Sequence, residues 1–452
     1  MDFNNKKITV MGLGLLGRGT GLAKYLLSQG ARLTVTDLKS KKMLAPSIKE
    51  VRNFYNKLRQ EGKNIHKIKF ILGEHRLEDF KTADFIFKTA GVSLDSIYIE
   101  EAKKNKIPVL MDDALFGLEA PCPVIGITGT RGKTTTATLI YELLKEETKK
   151  KVYLAGNIKG MATLPLLGKI KKDDLAVLEL SSWQLQGWED LKISPHIAVV
   201  TNIFSDHMNY YKNDFEKYIN DKMAIFKNQT KKDFLVLNKN CIQSEMFAKI
   251  GKGKVIWFSV EDVPKNWKVK IIGKHNLENI AAALAVSRLF KIPKSKIKNI
   301  VESFVGVPGR LQFIKEKNGA RYYNDTTSTM PEATIAALSS LGEKNKNIIL
   351  IAGGTDKNLD FKNLARSIKN HTKGVVLLSG TATEKINQAL RESGYSSPLV
   401  ISKNMKEAVG SAKDMAEKGD IVLFSPASTS FGMFKNEYDR GEHFEKEIFA
   451  LK

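Results

Sequence analysis

Residues 124–135 have the sequence Val124-Ile125-Gly126-Ile127-Thr128-Gly129-Thr130-Arg131-Gly132-Lys133-Thr134-Thr135. The apolar start predicts a buried strand, the glycines predict a tight turn, and the apolar spacing of Leu139, Ile140 and Leu143 predicts a helix. In this order, backbone N–H groups and the helix N-terminus face one point, which suits phosphate oxygens. Lys133 would reach the outer phosphates and the Thr134 hydroxyl would bind Mg²⁺. The sequence therefore predicts an ATP site at Gly129, Thr130, Arg131, Gly132, Lys133, Thr134 and Thr135.

The spacing of this loop departs from the common phosphate-binding loop. That motif places a glycine at the position of Ile127. The loop is thus a shortened variant, which favours a subset of ATP-using enzymes. The alternative is a glycine-rich turn with an incidental Lys-Thr pair.

A second glycine motif lies near the N-terminus. The strand Ile8–Met11 is followed by Gly12-Leu13-Gly14-Leu15-Leu16-Gly17, and Asp37 comes 20 residues after Gly17. Alone, this pattern predicts a nicotinamide cofactor and a dehydrogenase, although any nucleotide diphosphate can use the same helix N-terminus. A nucleotide-linked substrate in the first domain and ATP in the second would explain both motifs.

The length of 452 residues indicates several domains, and the order of the predicted strands and helices indicates the α/β class. Runs of Val, Leu and Ile without alternation favour parallel sheets covered on both faces. Three such runs in the last third are 347–352, 375–379 and 421–425. We expect a Rossmann-like domain over residues 1–118, a P-loop ATPase-like α/β domain over 119–308 and a second Rossmann-like domain over 309–452.

Composition narrows the class of protein. The two cysteines exclude a disulfide framework or a cysteine-based metal site, and no apolar run reaches the length of a membrane span. The N-terminus lacks a secretion-signal pattern, so we expect a cytoplasmic protein without a membrane partner. The net charge of +23 would suit an anionic partner such as nucleic acid, but the lysines are dispersed in pairs without interleaved aromatics. This dispersion favours a general lysine bias on solvated surfaces.

Further motifs follow the phosphate loop in a characteristic order. They are Gly156-Asn157, Glu179-Leu180-Ser181-Ser182-Trp183-Gln184-Leu185, Asp206-His207-Met208, Lys222, His275-Asn276-x-x-Asn279, Arg310, Asn324-Asp325 and Ser425-Pro426-Ala427. With the loop, they make the chain resemble the Mur ligases over its whole length, and the glutamate-adding branch most closely. The resemblance implies an ADP-forming ligase of peptidoglycan precursor synthesis. It would add glutamate to UDP-N-acetylmuramoyl-L-alanine through an acyl phosphate.

The resemblance also assigns roles to residues whose spacing alone leaves them open. Spacing alone makes Glu179 equally a strand-end acid paired with a lysine, His207 a structural hydrogen bonder and Lys222 a solvated surface lysine. The resemblance implies two Mg²⁺ ions held by Thr134, Glu179, His207 and Lys222, the last as a CO₂-derived carbamate. It implies a catalytic set of Lys133, Asn157, Glu179, His207 and Lys222.

The remaining candidates are binding residues. ATP would also contact Asn276, Asn279, Arg310 and Asp325, although the two asparagines alone suit a helix surface equally well. The UDP end of the substrate would contact Leu15, Leu16, Asp37 and Gly91. Glutamate would contact Thr329, Lys357, Ser430 and Phe431. The expected partners are these small molecules only, and we expect a monomer.

Three departures leave the amino acid open. Thr327 stands where a lysine is common, Glu437 where an aromatic is common, and Thr89-Ala90-Gly91 where Ser-Pro-Gly is usual. D-glutamate is the predicted substrate and L-glutamate is the nearest alternative. Two alternatives come from other classes of protein. A dehydrogenase would have a hydride-transfer site and no ATP loop. A basic nucleic-acid-binding ATPase would show ATP hydrolysis that nucleic acid stimulates and that depends strongly on salt.

Overall fold

The computed structural model describes residues 1–15, 17–92, 95–158, 160–208, 210–342, 346–356, 359–430 and 433–451. Within these residues the strands form three sheets, of five, six and six strands in chain order. Helices connect most of the strands, so the predicted α/β class is confirmed.

The first sheet is entirely parallel, with the strand order 3-2-1-4-5. Its strands are β1 (Lys7–Met11), β2 (Arg32–Asp37), β3 (Lys69–Leu72), β4 (Phe85–Lys88) and β5 (Val109–Leu110). The associated helices are α1 (Arg18–Ser28), α2 (Ala45–Gln60), α3 (Glu78–Lys81), α4 (Ile97–Lys104) and α5 (Asp112–Glu119). The strand order reverses between β1 and β4, where α/β proteins open a ligand crevice at the carboxyl ends of the strands.

The second sheet is also parallel, with the order 11-10-9-6-8-7. Its strands are β6 (Val124–Thr128), β7 (Val152–Gly156), β8 (Leu175–Glu179), β9 (Ile197–Val200), β10 (Phe234–Asn238) and β11 (Lys254–Phe258). Its helices are α6 (Lys133–Glu147), α7 (Ser182–Asp190), α8 (Phe215–Lys227) and α9 (Ser244–Ile250). β6 and β8 are buried along their whole length, as expected for parallel strands covered on both faces. Two helices follow in the chain, α10 (Lys274–Leu289) and α11 (Lys294–Ser303).

The third sheet has the order 12-13-17-14-15-16. Its strands are β12 (Gln312–Lys317), β13 (Ala320–Asn324), β14 (Ile348–Gly353), β15 (Thr372–Leu378), β16 (Leu399–Ser402) and β17 (Ile421–Phe424). Its helices are α12 (Pro331–Leu341), α13 (Lys362–His371), α14 (Thr381–Glu392), α15 (Met405–Met415) and α16 (Glu437–Ala450). The three predicted strands are present as β14, β15 and β17. The sheet is not wholly parallel, because β12 pairs antiparallel with β13 at one edge.

The chain divides into two compact units. The first contains residues 1–264 and 278–297, with the first two sheets, and the second contains residues 265–277 and 298–452, with the third. The predicted domain boundaries at 118 and 308 remain predictions.

Candidate active site

The phosphate loop joins β6 to α6 at the carboxyl edge of the central sheet. Gly129 and Gly132 have φ of +148° and +80°, which favours glycine. A Cβ on Gly129 would lie 1.9 Å from Thr201 Oγ1. Asn202 fixes the loop, since its backbone oxygen accepts from Thr130 N at 2.8 Å and its Oδ1 accepts from Arg131 N at 2.9 Å. The predicted strand–turn–helix is confirmed. The first-turn N–H groups of α6, which have no intrahelical acceptor, suit a phosphate there.

Two lysines meet at one carbonyl of this loop. Gly129 O accepts from Lys133 Nζ at 3.1 Å and from Lys222 Nζ at 2.8 Å. Lys222 is only 3% exposed, and its Nζ lies 4.7 Å from the centre of the Tyr218 ring. Burial, and next the charge of Lys133, lower the pKa of Lys222 well below its usual value. The interpretation of Lys222 as a solvated surface lysine is therefore wrong.

Glu179 lies at the end of β8, as predicted, and is 2% exposed. Its Oε1 accepts a hydrogen bond from Asn157 Nδ2 at 3.1 Å. Its Oε2 is buried and has no hydrogen-bond partner among the residues that the structure describes. A buried carboxylate oxygen without a donor is costly, so this atom suits a cation.

His207 occupies the left-handed region with φ of +56°. Its ring packs against Trp183, with the ring centroids 4.7 Å apart. Burial lowers the pKa of His207, which favours the neutral imidazole that a metal ligand requires. The side chain remains 45% exposed, so it is accessible to a ligand.

The predicted metal ligands are a hydroxyl, a carboxylate, an imidazole and a modified lysine, and only two of them are His or Glu. Across the described residues, no three His, Cys, Asp or Glu side chains converge closely enough to hold a metal ion. Glu179 and His207 would need further oxygens to complete a Mg²⁺ shell, from Thr134 in the first turn of α6, from phosphate, or from a modified Lys222. The orphaned oxygen of Glu179 fits such a site. The set stays a prediction.

At the N-terminal sheet, Asp37 supports the glycine turn. Its Oδ2 accepts from Leu13 N at 2.9 Å and from Gly14 N at 3.0 Å, and it is 5% exposed. Leu15, just beyond, is 40% exposed and accessible to a ligand. The loop after β4, which contains Gly91, approaches the same turn, because Thr89 Oγ1 donates to Met11 O at 3.3 Å. The fourth predicted UDP contact, Leu16, lies outside the described residues.

Asn279 belongs to the first unit and borders the phosphate loop. Its Oδ1 accepts from Thr136 Oγ1 at 3.3 Å, and a Cβ on Gly132 would lie 2.0 Å from the same oxygen. Asn276 belongs to the second unit, where its Nδ2 donates to Ile272 O at 2.8 Å. Their predicted contacts with adenine remain predictions.

In the second unit, Asp325 is a buried acceptor. It accepts from Ser425 Oγ at 2.8 Å and from Leu311 N at 3.0 Å, and Ser328 also donates to it. Burial raises the pKa of Asp325 to about 6. Its carboxylate thus braces the turn that follows Arg310. The predicted contacts of Arg310 and Asp325 with ATP remain predictions.

The second unit also contains a cavity of about 410 Å³ at the carboxyl ends of β14 and β15. Ser430, predicted to bind glutamate, lines it beside Thr355 and the buried Arg440. The cavity is also lined by Gly353, Gly354, Leu378, Ser379, Gly380, Thr381, Met433 and Phe434. Thr329 lies in the segment before α12, and Lys357 and Phe431 lie outside the described residues. The cavity suits a small ligand.

Comparison with known proteins decides the family. Residues 6–111 match the N-terminal domain of MurD-like Mur ligases, 127–268 the Mur ligase middle domain and 309–428 the Mur ligase glutamate ligase domain. The UDP-N-acetylmuramoylalanine–D-glutamate ligase of Borreliella afzelii (strain PKo) is 37% identical, over 100% of this chain and 99% of that protein. The enzyme of the same name from Roseiflexus sp. (strain RS-1) is 36% identical, over 99% of each.

This chain belongs to the Mur ligase family. The resemblance drawn from its motifs is therefore confirmed, and with it the class of ATP-dependent ligase. Among solved structures, UDP-N-acetylmuramate-alanine ligase MurC from Thermotoga maritima has a TM-score of 0.62 at 19% identity, covering 99% of this chain and 100% of that one. MurF from Acinetobacter baumannii has a TM-score of 0.59 at 15% identity, covering 98% and 94%. Both support the three-domain Mur ligase fold.

Several residues of this Mur ligase were not found from its sequence. Arg18 at the start of α1 binds Asp112 of α5 at 3.0 Å. Lys88 is 1% exposed and donates to Val92 O at 3.1 Å, and burial lowers its pKa to about 8. Arg18 directly follows the N-terminal glycine turn, and Lys88 is the last residue of β4 in the same sheet. A charged residue at the buried end of β4 was the available signal for Lys88.

Among the described residues, no helix combines the length and apolar character that a membrane crossing needs.

Proposed function

We propose that this Mur ligase adds D-glutamate to UDP-N-acetylmuramoyl-L-alanine in peptidoglycan precursor synthesis. The observation that carries the proposal is the buried amine of Lys222, bonded to the Gly129 carbonyl of the phosphate loop. A lysine amine with a lowered pKa at that position has no packing advantage over an apolar side chain. The position of this amine at the phosphate loop instead suits a role in binding phosphate or metal.

The chemistry follows from the need for a leaving group. A carboxylate oxygen of the L-alanyl group attacks the γ-phosphorus of ATP, which forms an acyl phosphate and releases ADP. The amine of glutamate then attacks the carbonyl carbon, phosphate leaves and the amine loses a proton. Phosphoryl transfer depends on positioning and on neutralising charge, tasks that suit Lys133 and the first-turn amides of α6.

Family membership implies the use of ATP and Mg²⁺. We propose two ions held by Thr134, Glu179, His207 and Lys222, with Mg²⁺ neutralising charge on the phosphates when bound. A neutral Lys222 amine would combine with CO₂ to give a carbamate and a proton. The change from an amine to an anion would supply the missing oxygen ligands.

The other substrates are assigned by the same proposal. The uridine diphosphate end would bind at Leu15 and Gly91, where the first sheet opens. Glutamate would bind in the second unit, in the cavity that Ser430 lines. The D-isomer follows the names of the full-length relatives, and L-glutamate remains the alternative because Thr327 replaces the usual lysine. A monomeric, cytoplasmic enzyme remains a prediction.

The test is substrate-dependent release of ADP and phosphate. We expect release only when UDP-N-acetylmuramoyl-L-alanine and D-glutamate are both present, and loss of release in Lys133→Ala. Parallel reactions with L-glutamate decide the isomer. If another amino acid supports turnover and neither D- nor L-glutamate does, the substrate assignment is wrong.

A further inference from the structure

Asp221, one residue before Lys222 on α8, accepts two side-chain hydrogen bonds at one oxygen. Its Oδ2 lies 2.8 Å from Tyr211 Oη and 2.7 Å from Gln186 Nε2 of α7. Gln186 Nε2 also donates to Tyr210 Oη at 3.2 Å. A single carboxylate therefore links α7, α8 and the segment that follows His207.

The same segment is held from a second side by aromatic packing. The Trp183 ring centroid lies 4.7 Å from that of His207 and 5.4 Å from that of Tyr210. Trp183 and Gln186 are three residues apart on α7, so both contacts come from one face of that helix. We call His207, Met208, Tyr210 and Tyr211 the His207 turn.

The backbone of the His207 turn needs this support. His207 has φ of +56°, a conformation that costs a residue with a side chain about 1 kcal/mol or more. Its carbonyl oxygen accepts from Tyr210 N at 2.9 Å and from Tyr211 N at 3.1 Å, so the two tyrosines and His207 move together. Fixing the tyrosine hydroxyls therefore restrains the backbone of His207, whose ring packs against Trp183.

The hydrogen bond to Asp221 sets the orientation of the Gln186 side-chain amide. A carboxylate only accepts, so the amide must direct Nε2 towards it. As a result Gln186 Oε1 is buried without a hydrogen-bond partner among the described residues. An unmet buried acceptor costs about 1–3 kcal/mol, which the bonds to Asp221 and Tyr210 must outweigh.

We propose that Asp221 is a positioning residue that holds His207 in register with Lys222 for metal binding. It acts on His207 through Tyr211 and Tyr210, and it adjoins Lys222 on α8. This inference rests on the proposed function, since it concerns the metal that those two residues would share. Groups that orient metal ligands without touching the metal typically affect metal affinity about 10- to 100-fold.

The experiment compares Mn²⁺ binding to Asp221→Ala, Asp221→Asn and wild type by calorimetry in the presence of ADP. We expect Asp221→Ala to weaken Mn²⁺ binding by about 10-fold or more. Asp221→Asn keeps an acceptor oxygen for Tyr211 and should recover most of the affinity. In turnover assays, the Mg²⁺ concentration for half-maximal rate should rise more in Asp221→Ala than the rate at saturating Mg²⁺ falls.

A second variant keeps the test decisive if Asp221→Ala does not fold. Tyr211→Phe removes one hydrogen bond to Asp221 and should weaken Mn²⁺ binding about 3-fold or more. The matched control is Tyr395→Phe, which removes a phenol hydroxyl 3.1 Å from Thr372 Oγ1 in the second unit and should leave Mn²⁺ affinity unchanged. Equal Mn²⁺ affinity in folded Asp221→Ala and wild type, or equal effects of the two tyrosine variants, would overturn the proposal. An inactive wild type that binds Mn²⁺ would instead contradict the proposed function.

Discussion

At the scale of single residues, the proposed carbamate depends on the protonation state of Lys222. An amine reacts with CO₂ only when it is neutral, and burial lowers the pKa of Lys222, which favours the neutral amine over the protonated form. With ¹³C-bicarbonate we expect a carbamate carbon signal that is lost as the pH falls and the amine gains a proton. Lys222→Ala, the control, should show no such signal at any pH. A wild-type protein without the signal at pH 8 to 9 would contradict carbamate formation.

Asp325 gives a prediction about stability. Its pKa is raised from 3.8 to about 6 by burial, so the folded state binds its proton more tightly than the unfolded state. The free energy of unfolding should therefore fall as the pH rises from about 4 to about 6. In Asp325→Asn this part of the pH dependence should be absent. Chemical denaturation of both proteins across this range measures it, and parallel curves for the two would refute the assignment.

Lys222 also shows what sequence reasoning can and cannot recover. Tyr218, Lys222, Ile225 and Phe226 fall on one face of α8 by the spacing of four, three and one residues, and all are buried. The expectation of a solvated lysine rested on residue type, whereas the periodicity of α8 puts Lys222 on the apolar face. Contacts such as Asp221 with Gln186 join residues 35 positions apart and leave no local signal.

At the scale of elements, the phosphate loop depends on glycine at its last position. Gly132 and Gly62 have similar φ, +80° and +74°, but only at Gly132 would a Cβ meet another group, Asn279 Oδ1 at 2.0 Å. Gly62→Ala should cost about 1 kcal/mol for the backbone alone. Gly132→Ala should cost about 1–3 kcal/mol more and abolish ADP binding. Thermal unfolding and calorimetry measure both, and equal effects of the two changes would contradict the crowding at the loop.

The elements that sequence predicted best are the buried ones. β14 and β17 are continuous apolar runs, and the predicted runs 347–352 and 421–425 recover their bounds to within one residue. The edge strand β12 was missed because its residues are mostly half-buried and include Lys315, Glu316 and Lys317. Pairing with β13 across a short turn stabilises β12, which no apolar run could indicate.

At the scale of the whole molecule, the net charge of +23 is the property least connected with the site. A ligase with dispersed lysines should release ADP at the same rate with or without DNA or RNA. Its rate should also depend weakly on salt, because lysines dispersed along the sequence would exchange few counterions with a polyanion. Measuring ADP release with and without nucleic acid at several salt concentrations tests this. Stimulation by nucleic acid that disappears at high salt would favour the ATPase alternative.

The central claim is that the phosphate loop, with Lys133, Glu179 and Lys222, transfers a phosphoryl group to a carboxylate. If the L-alanyl carboxylate of the substrate is labelled with ¹⁸O, one labelled oxygen should leave in the inorganic phosphate formed with D-glutamate and ATP. Mass spectrometry of that phosphate is the most direct measurement. The predicted result is that each molecule of amide formed releases one phosphate that carries one ¹⁸O atom. Unlabelled phosphate released together with amide product would contradict the account.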